Sequence, residues 1–351
     1  MEDRTRVFAA AGFTVALFLL VQLGALALVE PFQRAGYQQT PDPSDPTNSL
    51  VYVGAVLVLT GVMLAIIKLE VEWILRAMII LTSGLLSWYV FSVVIPPAAT
   101  VEIGGTAFNV VALAAAALVS LALAVHPEWY VIDGAGVVMG AGAAGLFGIS
   151  FGLLPAILLL AVLAVYDAIS VYGTEHMLTL ASGVMDLKIP VILVIPLTLS
   201  YSFLDGGEEV GESGGDEPAS ASAEASAPDG GESLEDAVGD GEATAGDAAE
   251  RPGITDRDAF FIGLGDAVMP TVMVASAAFF APPEPLISGF AMNLPALTSM
   301  VGTLLGLLVL LWMVLKGRAH AGLPLLNGGA IGGYLLGALA SGMTLMQALG
   351  L

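Results

Sequence analysis

Apolar runs of about 20 residues recur along this 351-residue chain, and each is long enough to cross a bilayer as a helix. That repetition constrains the fold more than any motif does. Backbone crossing hydrocarbon must pair all of its own polar groups, and runs of this length do so as helices. Nine runs are read: about Val7–Val29, Leu50–Ile67, Ile74–Ile95, Phe108–Val125, Val131–Gly152, Leu153–Tyr172, Phe260–Ala281, Phe290–Leu315 and Leu323–Met343. With 57% of residues hydrophobic, the expected fold is an all-α polytopic membrane protein of nine transmembrane helices. The first run is too long and too apolar for a cleaved signal peptide, and no clean small-x-small site follows it. The fifth is rich in Gly and Ala, which lets neighbouring backbones approach closely.

The chain divides into three parts. Residues 1–190 hold spans one to six and an amphipathic surface helix after Gly173. Residues 191–258 form a loop, first an interfacial strand and then an acidic disordered segment. Residues 259–351 hold spans seven to nine, and no soluble domain is expected on either side of the bundle. The strand is expected in Val191–Phe203, which is apolar and β-branched but too short to span as a helix. The segment Leu204–Asp258 carries 17 of the 32 acids and only Arg251 and Arg257 as bases, and it is built from Gly, Ser, Ala, Asp and Glu. The net charge of −22 therefore belongs mainly to one loop. Such a surplus of acid suggests a cytoplasm of high salt.

Positive charge orients the bundle. With the N-terminus inside, Arg4, Arg6, Lys68, Arg76, Lys188, Arg251, Arg257, Lys316 and Arg318 are all cytoplasmic, and only Arg34 lies outside. Nine spans then put the C-terminus outside, in a multi-pass protein of the cell membrane.

Two aspartates stand in this apolar sequence where a carboxylate costs roughly 2.5–3.5 kcal/mol or more on insertion. Asp167 lies in the sixth run and Asp266 in the seventh. Counted from their own ends, both fall roughly 8–10 Å below the cytoplasmic face. No lysine or arginine lies at matching depth in any span. Three readings follow: hydrogen bonds that fix helix packing, a proton or cation path as in a transporter or ion leak, or a catalytic pair. Two touching carboxylates cannot both ionise and so share a proton. One can then activate a water while the other polarises a peptide carbonyl, the arrangement of an aspartic protease. The chain has no cysteine, its three histidines (His126, His176, His320) lie far apart, and no Ser–His pair has supporting context. No metal or cofactor is expected.

The Tyr166-Asp167 pair, the Gly263-Leu264-Gly265-Asp266 sequence, the nine runs and the long loop between the sixth and seventh together resemble the presenilin and signal peptide peptidase family of intramembrane aspartyl proteases, its archaeal branch most. The resemblance covers essentially the whole chain. It implies that Asp167 and Asp266 are the catalytic pair and that transmembrane segments of other proteins are the substrates. Gly263 and Gly265 would admit a close neighbour or an extended substrate beside Asp266, with Leu264 between them and Tyr166 lining the site or packing. The family also carries a Pro-Ala-Leu motif near the pair. Its literal copy, Pro295-Ala296-Leu297, opens the eighth run on the far side of the membrane, roughly 20 Å away along the normal. Pro324-Leu325-Leu326 opens the ninth run on the cytoplasmic side and is the expected equivalent, with Leu in place of Ala.

A helix hides its own carbonyls, so such a substrate must unwind before water can attack. Val191–Phe203 and the stretch before Phe260 supply a strand edge for the unwound segment. Pro270, one turn beyond Asp266, either loosens its helix or only kinks it. The expected partners are transmembrane substrates and lipid, with no nucleic acid and no obligatory partner subunit. A prepilin-type peptidase also uses a Gly-x-Gly-Asp aspartate but carries a basic residue soon after it, where this chain has Ala267-Val268-Met269-Pro270. Against a transporter, the spans show no internal repeat.

Overall fold

A computed structural model describes residues 2–69, 71–103, 106–173, 192–197, 259–316 and 321–351. Three long helices come first: α1 (Glu2–Arg34), α2 (Thr47–Lys68) and α3 (Glu72–Val94). A hairpin, β1 (Thr100–Ile103) with β2 (Thr106–Asn109), precedes α4 (Val110–Val125), α5 (Trp129–Ser150) and α6 (Leu153–Gly173). Then come β3 (Ile192–Pro196), β4 (Ala259–Gly263), α7 (Leu264–Phe280), α8 (Leu294–Leu315), α9 (Gly322–Ala340) and a short α10 (Leu345–Ala348). Among the described residues, seven helices are long and apolar enough to cross a membrane; α4 and α7 are apolar but shorter, at 16 and 17 residues.

The helix ends follow local chemistry rather than the limits of apolar sequence. Asn109 caps α4, its Oδ1 accepting from the N–H groups of Val111 and Ala112, so the helix starts two residues later than the fourth run. Asn293 does the same for α8 through Ala296. Between the third run and the start of α4 lies the hairpin, paired from Thr100↔Asn109 to Ile103↔Thr106 around a Gly-Gly in the sequence. The surface helix expected after Gly173 and the acidic segment Leu204–Asp258 lie outside the described residues.

Helix α5 is the middle of the bundle, packed against α1, α3 and α7. Its small residues are the reason. A methyl group added at Gly148 would overlap Ala275 of α7, and one at Gly145 would press on Phe32 of α1. The second close seam joins α8 to α9. There Gly302 and Gly329 face each other's carbonyl oxygens, and Gly306, Gly333 and Gly337 lie against Leu325, Thr298 and Pro295. Several polar side chains inside the bundle find backbone partners: Ser276 donates to the Phe151 carbonyl, Ser299 to Ala330 and Asn327 Nδ2 to Leu160.

Strands β3 and β4, far apart in sequence, pair antiparallel, Ile192↔Gly263 through Pro196↔Ala259. This overturns one expectation: Phe260–Gly263 is strand, and helix α7 begins only at Leu264. It also sharpens another. The run Val191–Phe203 does hold a strand, at Ile192–Pro196, but Leu193, Val194 and Ile195 are buried rather than lying on a surface, the first two in the main core with α1, α5, α7, α8 and α9.

Candidate active site

Asp167 projects from α6 six residues before its end, on the face that also buries Leu163 and Ser170. The carboxyl is buried, and its Oδ2 accepts a hydrogen bond of 3.1 Å from the backbone N–H of Leu323. Leu323 is the second residue of α9, so this donor is one of the amides a helix start leaves without an intrahelical partner.

Asp266 is the third residue of α7 and half-buried. Gly263, the last residue of β4, precedes that helix without any side-chain cap. A methyl group at Gly263 would stand 3.5 Å from Asp266 Oδ2, and one at Gly322 would stand 3.7 Å from the same oxygen. The Asp266 carboxyl therefore lies between the end of β4 and the start of α9. Gly322 and Leu323 are adjacent, so one turn of α9 touches both aspartates.

Asp266 also lines an apolar cleft. Its walls are Ala10 and Thr14 of α1, Phe261 and Ile262 of β4, and Leu310 and Val314 of α8, with Gly322 at its edge. Asp266 is the one charged side chain among those walls. Among the described residues, no group of three or more His, Asp or Glu side chains comes together to hold a metal ion.

The other expected site residues divide in two. Tyr166 is 37% exposed, Gly265 has no heavy atom within 4 Å of where a methyl would stand, and Pro324 and Leu325 are part-exposed in the first turns of α9. Leu264 and Leu326, by contrast, are turned into the core. Leu264 packs over Gly136 and Gly140 of α5, so its side chain is a structural anchor. The literal Pro295-Ala296-Leu297 opens α8 at its other end: Pro295 touches Gly337, fifteen residues along α9 from Gly322, or roughly 22 Å of helix.

A family model described as signal-peptide peptidase, presenilin aspartyl protease matches residues 15–343. The chain belongs to that family. It is an intramembrane aspartyl protease, and neither the family nor the structural neighbours support a transporter. Two solved structures of a presenilin family intramembrane aspartate protease are similar over nearly the whole fold. The C222 crystal form gives a TM-score of 0.58 at 29% identity, covering 95% of this chain and 99% of that one. The P2 form gives 0.56 at 30%, covering 93% and 96%. No curated protein matches the chain.

Within this presenilin-type fold, sequence reasoning missed three features. Gly322 and Leu323 act through backbone and through the absence of a side chain, which residue chemistry alone does not advertise. The α1 wall of the cleft comes from residues remote in sequence. The third, Asp133, did carry a signal: it is an acid in the apolar run Trp129–Ser150, as anomalous there as the two aspartates singled out.

Proposed function

We propose that Asp167 and Asp266 are the catalytic pair, hydrolysing peptide bonds inside transmembrane segments of other membrane proteins. The observation that carries this is the convergence of both carboxyls on Gly322 and Leu323. Two carboxyls in contact share one proton. The ionised member takes a proton from water as that water attacks the peptide carbon, and the protonated member donates to the carbonyl oxygen. Collapse of the tetrahedral intermediate breaks the C–N bond, and the proton held by the base passes to the leaving amine.

Asp266 sits where helix gives way to strand, and an unwound substrate adds to that short sheet as a further strand. Gly263, Gly265, Tyr166, Pro324 and Leu325 are the side chains and bare positions it passes. Replacing residues 190–202 with a flexible linker abolishes cleavage if the sheet carries the substrate; unchanged cleavage removes that role. The distribution of basic residues supports a cytoplasmic N-terminus and an extracellular C-terminus in the cell membrane. The acidic surplus suits an archaeal protein from a high-salt cytoplasm. Thermal stability then rises from low to molar KCl, and a flat series argues against it.

The deciding experiment uses purified protein and a tagged single-span substrate, comparing wild type with Asp167→Ala and Asp266→Ala. Each variant loses cleavage entirely. A single variant that still cuts would overturn the two-aspartate mechanism.

A further inference from the structure

Helix α5 carries a buried acid that this chemistry does not use. Asp133 is 4% exposed, and its Oδ1 accepts a hydrogen bond of 2.7 Å from the N–H of Val194 in β3. Its Oδ2 is equally buried and has no partner among the described residues. One and two turns further along the same face stand Gly136 and Gly140. A methyl at Gly136 would come within 3.1 Å of Leu193 Cδ2, and one at Gly140 within 3.3 Å of both Leu264 and Val268. This face thus offers one acceptor for the β3 backbone and two bare positions for the side chains around it.

The Val194 N–H is turned toward α5, away from the partner strand, and in the core it would otherwise be an unpaired donor. A two-stranded sheet is marginal alone. Val194 lies opposite Phe261 in β4, and β4 ends at Gly263, three residues before Asp266. We infer that Asp133 is a positioning residue for the protease: through Val194 it fixes β3, and β4 with it, where Asp266 enters the cleft to face Asp167. It touches no reacting atom. The inference rests on the reading of Asp266 as catalytic.

Four variants of the full chain test it beside the two aspartate controls. Asp133→Asn keeps an acceptor for Val194, Asp133→Leu keeps the size without one, and Val194→Pro deletes the donor on an edge the partner strand does not use. The fourth is the double variant Asp133→Leu/Val194→Pro. Asp133→Asn cuts within about threefold of wild type, while Asp133→Leu and Val194→Pro each lose about tenfold or more in kcat with KM within about twofold. The double variant is no worse than the poorer single one, because both delete the same bond. Hydrogen exchange at residues 259–263 quickens in both single variants while the α8–α9 amides stay as slow as in wild type. The inference is overturned if Asp133→Leu cuts like wild type, if Asp133→Asn is as impaired as Asp133→Leu, or if the two losses multiply. Should Asp133→Leu not fold, Val194→Pro decides alone: wild-type kcat overturns the inference and a tenfold loss supports it. Cleavage by Asp167→Ala or Asp266→Ala would instead sink the two-aspartate reading, and the exchange data would still judge the clamp.

Discussion

Gly265 has open space where a methyl would go, whereas a methyl at Gly329 would overlap the Gly302 carbonyl oxygen. The same substitution therefore has opposite signatures at the two positions. Gly329→Ala forces α8 and α9 apart and lowers stability by about 1–3 kcal/mol, read as a fall in thermal midpoint. Gly265→Ala leaves that midpoint unchanged. If an extended substrate passes beside it, KM rises; equal KM for the two proteins removes Gly265 from the substrate path. At this scale the aspartates were legible because an acid in apolar sequence is costly wherever the helix packs. Their backbone partners were not, since Leu323 contributes an amide that every residue but proline owns. The inward turn of Leu264 and Leu326 was not legible for a related reason: a motif identifies its letters, not which way each side chain turns.

Helix α7 contains Pro270, buried, four residues after Asp266. Proline has no N–H, so the Asp266 carbonyl lacks its usual intrahelical donor. Pro270→Ala restores that bond and slows hydrogen exchange in the first turns of α7. If the aspartates must shift to reach the reactive geometry, kcat falls as well; slower exchange with unchanged kcat makes Pro270 a static kink. The strand before α7 was invisible in the sequence because five apolar residues followed by a helical run look like the start of that run. Only a partner some 66 residues away, Ile192–Pro196, makes Ala259–Gly263 extended. That partner was legible, being β-branched and too short to span. The hairpin β1–β2 was missed because its strands are only four residues each.

Among the described residues the order of the apolar runs was readable, since crossing hydrocarbon demands length and little else, but seven of the nine hold helices long enough to cross and the fourth and seventh hold shorter ones. Which helix sits in the middle was readable only in part, from the Gly and Ala content of the fifth run. In the bundle α5 is enclosed and α2 faces outward, with 72% of the one apolar window buried against 6% of the other. Saturation mutagenesis scored by folded yield is expected to separate them cleanly. At Gly142, Gly145 and Gly148 nearly every replacement fails, while along the outward face of α2 any apolar residue passes. The close packing of α5 also has a consequence for descent. Glycine has no smaller replacement, so drift along this face can run in one direction only, toward clash, and a neighbour must shrink first to make a change survivable. Lineages of this fold should therefore diverge from the rim inward, with the middle helix changing last.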